Sequence, residues 1–158
     1  MNIHSWLFSG FVATLILTGC LAGAQGMGLT RMNLPYVLGT MITKDRDRAK
    51  LYGVGIHLMI GWVFSLLYVV AFHQLGKWNW WRGGVIGIVH AMFVLVLGLS
   101  VLPGVHPRMA SEYSGPTAQR ALEPPGFLGL HYGIQTPLSI VISHAIFGAL
   151  LGALYHVK

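Results

Sequence analysis

The sequence predicts an all-α integral membrane protein, a bundle of four membrane-spanning helices, from a shortage of charge, four long uncharged runs and a lopsided placement of the few cations. Ten Lys and Arg and four Asp and Glu serve 158 residues, of which 54% are hydrophobic. A soluble domain carries about 25% charged residues, so this chain cannot cover a water-facing surface. The apolar residues come in unbroken runs, and roughly 20 such residues cross a hydrocarbon core. One membrane domain over 1–158 accounts for the whole length.

The runs place spans at about 6–29, 52–72, 83–102 and 134–155. Four crossings put both termini on one side. Loop 30–51 carries Arg31, Lys44, Arg46, Arg48 and Lys50, and loop 103–133 carries Arg108 and Arg120, while the opposite side has only Lys77, Arg82 and Lys158. The excess of cations places loops 30–51 and 103–133 in the cytoplasm and both termini outside, in a bacterial-type inner membrane. Trp78, Trp80 and Trp81 in the short second loop fit an outer aromatic belt, with Trp6 and Tyr155 at the same level. Membrane lipids, anionic ones at loop 30–51 included, are the expected counter-charge. No Lys/Arg cluster interleaved with aromatics points to nucleic acid.

Loop 30–51 has structure of its own. Asn33 reads as the cap of a short interfacial helix with Pro35 in an early position, and Thr43 with Asp45 as the capped start of the second span. In loop 103–133 the five prolines and five glycines, with apolar Met109, Leu122, Phe127, Leu128 and Leu130, predict an ordered cytoplasmic cap that includes a short helix over 117–123, ended by Pro124.

The halves resemble each other. His57-x3-Gly61-x3-Ser65-x2-Tyr68 returns as His144-x3-Gly148-x3-Gly152-x2-Tyr155, and Arg31-Met32 returns as Arg108-Met109, which predicts a tandem repeat of two-span hairpins about an axis along the membrane normal. Small residues recur four apart at Gly19 and Gly23, Gly61 and Ser65, Gly87 and Ala91, and Gly148 and Gly152. Such positions let helix backbones approach, in a tight bundle or a dimer.

Cys20 is the single cysteine, which excludes an internal disulfide. Leu17-Thr18-Gly19-Cys20 matches a lipoprotein cleavage site, but no Lys or Arg precedes it and the chain stays apolar afterwards. It therefore reads as a cysteine within the first span.

Three histidines, His57, His90 and His144, fall inside spans, where an ionisable side chain is costly and faces the bundle interior or a wet cavity. Neutral imidazole ligates haem iron or a transition metal, so these three are the candidate cofactor ligands. The competing reading has each histidine hydrogen-bonded to a neighbouring helix, at Ser65, Ser139 or Ser143 for instance. In loop 103–133, His106, Glu112, Glu123 and His131 form a chemically sensible divalent-metal set, beside Arg108 and Arg120, which could bind an anion. The alternative there is an Arg/Glu network, with Arg31 of loop 30–51, holding the cap in place.

The segments 31–35 (RMNLP) with 38–40 (LGT), 45–50 (DRDRAK) and 106–112 (HPRMASE) resemble an uncharacterised family of small bacterial multi-span inner-membrane proteins, a domain of unknown function. The resemblance covers most of the chain and implies the fold and compartment, with no catalytic residue. The expected function is that of a small accessory or structural membrane subunit, or a metal- or haem-binding one, without its own catalytic activity, as a homodimer or within a larger complex. The alternatives are a small dimeric transporter or channel and a membrane enzyme with its site in loop 103–133.

Overall fold

The computed structural model describes residues 1–76 and 78–156. Lys77 and Lys158, two of the three cations expected on the terminal side, lie outside the described residues. Four helices are long and apolar enough to cross a membrane: α1 (Ile3–Gly26), α3 (Arg46–Leu75), α4 (Trp80–Val105) and the last helix, α5 (Thr136–Leu154). A short α2 (Leu34–Gly39) lies between the first two. Among the described residues there is no strand, only the isolated bridges Met109–Leu122 and Ser111–Gly115.

Each helix begins where its side chains demand. Asn2, Asn33, Asp45 and Asn79 each accept a hydrogen bond from the backbone N–H three residues on, satisfying a donor that the first turn leaves orphaned. The Asp45 cap starts α3 six residues before the uncharged run, so Arg46, Asp47, Arg48 and Lys50 ride its first turns. Gly76, at φ 66°, ends α3 in the left-handed conformation that glycine adopts without steric cost. Within α4, residues Val94–Gly98 widen into a π turn, a feature found mostly as single turns inside α-helices.

The helix expected over 117–123 does not form. Thr117 and Arg120 close a turn on each other, and Leu122 is drawn into a bridge with the fully buried Met109. Seven residues make a weak helix alone, so burial against the neighbouring segment decides their conformation.

Packing is unequal around the bundle. Helix α1 lies between α3 and α5, α5 lies between α1 and α4, and the α3 and α4 backbones stand apart, meeting through side chains such as Phe64 and Tyr68 against His90. Helices α4 and α5 meet backbone to backbone: a Cβ added at Gly83, Gly87 or Gly148 would strike a main-chain carbonyl of the facing helix. At Gly61 the neighbour is the Thr14 side chain. Helix α2 lies flat on the start of α3, with Gly39 against the Ala49 carbonyl and Gly53 against the Pro35 carbonyl. Gly19 and Gly23 face open space, so this pair takes no part in packing within the chain.

Both termini gather at one end. The Asn2 N–H donates to the Tyr155 hydroxyl (3.3 Å), His73 Nε2 pairs with the same hydroxyl (3.1 Å), and the His156 N–H donates to Ser5 Oγ (2.7 Å). Tyr155 is therefore buried, only 1% exposed, and not a belt residue. Trp80 and Trp81 at this end remain exposed. At the other end the Arg31 N–H donates to the Tyr132 carbonyl (2.7 Å), and Thr30 Oγ1 meets Thr136 Oγ1 (2.7 Å), tying loop 30–51 to the first turn of α5 and the segment before it.

Candidate functional site

His57 on α3, His90 on α4 and His144 on α5 line one cavity of about 250 Å³, walled otherwise by apolar side chains such as Leu17, Leu38, Ile60, Phe64 and Phe147. The π turn borders it through Val94 and Gly98. The His90 and His144 rings meet edge to face, centroids 4.9 Å apart at 82°.

The hydrogen bonds at Nδ1 set what each ring offers at Nε2. His144 Nδ1 lies 2.9 Å from the Ile140 carbonyl oxygen, which can only accept, so Nδ1 carries the proton. His57 Nδ1 lies 2.8 Å from Thr18 Oγ1, whose own proton goes to the Thr14 carbonyl; His57 Nδ1 is therefore also the donor. In their neutral forms both rings thus keep a bare lone pair at Nε2. His90 differs. Its Nδ1 lies 3.1 Å from the Tyr68 hydroxyl, which has no other acceptor and so donates, leaving the proton of His90 on Nε2.

None of the three Nε2 atoms has a protein partner. Since no sealed side-chain nitrogen or oxygen among the described residues lacks one, these three must reach open space. The three residues that line this otherwise apolar chamber thus offer two acceptors and one donor.

A haem does not fit this arrangement. Two axial imidazoles would each sit about 2 Å from the iron, with the macrocycle between them, whereas these rings touch edge to face. The cavity is also smaller than the roughly 300–1,000 Å³ of pockets for drug-sized ligands. Among the described residues no three His, Cys, Asp or Glu side chains come together as a metal-ligand group, so the three imidazoles share a cavity without forming a coordination sphere.

The loop residues divide. His106, fully buried, accepts the Arg108 N–H at Nδ1 (3.1 Å) and donates from Nε2 to the Val37 carbonyl (2.9 Å). Both ring nitrogens are thus engaged in holding loop 103–133 to α2, away from the other three residues of the expected metal set. The Arg108 guanidinium caps the Thr40 carbonyl beside it. Glu112 and His131 approach to 3.9 Å, with Glu112 Oε1 accepting the Gly126 N–H (3.0 Å). Glu123 instead pairs with Arg31 (3.1 Å), whose guanidinium also donates to the His131 carbonyl. Arg120 sits in the exposed Thr117 turn.

The Tyr132 hydroxyl donates to the Glu123 carbonyl (2.6 Å), and burial, reinforced by the Glu123 charge, pushes its phenol up to about 12. These contacts are structural: they are bonds to backbone groups and two surface pairs, Arg31 with Glu123 and His131 with Glu112.

Three residues carried no signal as site residues: Thr18 and Tyr68, which hydrogen-bond the His57 and His90 rings, and Phe64, which lines the cavity. Thr18 and Tyr68 take the places expected for serines. Ser65 instead accepts from Trp6 Nε1 (2.9 Å), and Ser139 donates to the Gln135 carbonyl of its own helix. A helical-wheel reading aligning Thr18 with the depth of His57 would have found the first; Tyr68 was visible only as a repeat position. No protein-family model, curated protein or solved structure matches this chain.

Proposed function

We propose that this chain is a multi-pass protein of a bacterial inner membrane that works without catalysis of its own, as an accessory protein holding a small ligand in the three-histidine cavity. The carrying observation is the pair of Nε2 lone pairs on His57 and His144, fixed by their Nδ1 bonds and left without protein partners inside the bundle. Intramembrane imidazoles are costly, and a purely structural histidine has no need to present an unused acceptor to a cavity.

The recurrence of His57 as His144, both reaching one chamber, supports reading the chain as two related hairpins. Arg31, Arg108 and the glutamates support reading loop 103–133 as a cap on the cation-rich end, which the charge excess assigns to the cytoplasm. Arg46, Arg48 and Lys50 at the start of α3 suit anionic lipid headgroups there. Orientation is checked with Tyr113→Cys in a Cys20→Ser background, since Tyr113 is fully exposed. A membrane-impermeant maleimide should label it only in inverted vesicles; labelling from the outside of intact cells reverses the assignment.

The ligand reading is tested by native mass spectrometry on protein extracted in mild detergent, without chelators or a metal-affinity tag, beside the His57→Ala/His144→Ala variant. The expected result is an adduct of defined mass, metal or organic, that the variant loses. Protein with no histidine-dependent adduct overturns this reading.

A further inference from the structure

We propose that the cavity takes the ring head of a bilayer-soluble molecule of the quinone or quinol class, which enters sideways between α3 and α4; this rests on the cavity being a ligand site. Because the α3 and α4 backbones stand apart, with Phe64 and Tyr68 reaching across to His90, a cleft of about 220 Å³ opens between them, lined by Leu67, Tyr68, Ile86, Val89 and Phe93 together with Phe64 and His90. Its outer residues face the lipid: Leu67 is 60% and Val89 66% exposed. The cleft offers an apolar path that a hydrocarbon tail can occupy and a water-soluble ion cannot.

The cleft and the histidine cavity share two residues, Phe64 and His90. Their rings stack at 4.4 Å and 22° and form the partition between the two spaces. A flat ring passing that partition keeps π-contact with Phe64 and reaches all three imidazoles. Beyond the partition the polar groups match a quinol best: its two hydroxyls can donate to Nε2 of His57 and His144 and one hydroxyl oxygen can accept from His90 Nε2–H, whereas a quinone carbonyl can use only the His90 donor. No Lys, Arg, Asp or Glu lines either space, which excludes a charged head. The cavity volume suits one substituted ring and not a macrocycle. The π turn puts Gly98 and not a larger side chain at the wall beside it.

The test measures binding to the full chain in nanodiscs, with a benzoquinone carrying one isoprene unit, its quinol, and Zn²⁺ and Cu²⁺ alone as the probes. Wild type, His57→Ala/His144→Ala, Val89→Trp at the cleft mouth, and Leu7→Trp on α1 are compared by calorimetry, each shown folded by helical circular dichroism and a single elution peak. The expected result is saturable binding of one quinone or quinol per chain, weakened tenfold or more by the histidine pair and by Val89→Trp, and unchanged by Leu7→Trp. Should the histidine variant fail to fold, Val89→Trp against Leu7→Trp carries the decision.

Histidine-dependent metal binding without quinone binding overturns the proposal while leaving the ligand site intact. Binding of none of the probes by folded wild type overturns it as well, and the adduct measurement above then decides separately whether the cavity is a site at all. Binding that Val89→Trp leaves unchanged overturns the sideways path.

Discussion

The two hairpins, α1 with α3 and α4 with α5, are joined by different means. Helices α4 and α5 approach until Gly83 and Gly87 lie against the main chain of Gly148 and His144, so main chain meets main chain. Helices α1 and α3 are spaced by side chains: Thr14 against Gly61, Ser65 and Trp62 against Gly10, and hydrogen bonds from Trp6 to Ser65 and from Trp62 to the Leu7 carbonyl. Without water to drive helices together, one pair relies on close van der Waals contact and the other on polar bridges. The difference has a consequence for the site. His144 bonds to a carbonyl of its own helix, whereas His57 depends on Thr18 across the helix pair.

The contrast predicts a graded response to substitution, read as stability in mixed detergent micelles. Gly148→Ala should cost the most, at or above the upper end of the about 1–3 kcal/mol typical of overpacking, because the new methyl strikes the Gly83 carbonyl, which cannot rotate away. Retention of wild-type stability would mean that α4 and α5 do not cross at these glycines. Gly61→Ala should also destabilise, within the about 1–3 kcal/mol typical of overpacking, because the new methyl lies 2.7 Å from Thr14 Cβ, which no rotamer change moves, so α1 and α3 must shift apart.

Thr18→Val removes the acceptor of His57 at nearly constant volume. An interhelical hydrogen bond in a membrane is worth about 0.6 kcal/mol on average, so stability should move little while the tautomer of His57 is released. Nitrogen-15 NMR should show His57 departing from the Nδ1–H form and His144 retaining it; an unchanged His57 signal breaks the assignment. Gly19→Ala should have the smallest effect, within about 0.5 kcal/mol, as nothing lies within 4 Å of the added methyl. A larger loss would reveal a second helix seated on that face of α1.

Much of this architecture was legible. The four spans, the Asn33 and Asp45 caps and the early proline of α2 follow from local rules about charge, run length and orphaned N–H groups, which act within a few residues of one another. The helix expected over 117–123 was misread because Leu122 is governed by Met109, a partner that no local pattern names. Tyr155 looked like a belt residue by depth, yet its hydroxyl is held by Asn2 and His73, which only the folded chain brings near. Of the four glycine or small-residue pairs, three face a helix of this chain or its immediate surroundings, whereas Gly19 and Gly23 do not; periodicity gives the stripe and not the side that it faces.

The histidines show the same division. Their types and depths were plain from the sequence, because an imidazole inside an apolar run is conspicuous wherever it points. The grouping of His106 with Glu112, Glu123 and His131 rested on proximity along one loop, and the fold separates them by turning His106 inward onto α2 and Arg31 outward onto Glu123.

By itself the sequence determined that four long apolar helices form and that three imidazoles lie within them, since hydropathy and capping are properties of contiguous residues. Only the tertiary structure decided that α3 and α4 stand apart, that all three rings reach one chamber, and which ring nitrogen carries each proton. Those outcomes depend on rotation and approach of helices, which are set by contacts between residues far apart in the chain.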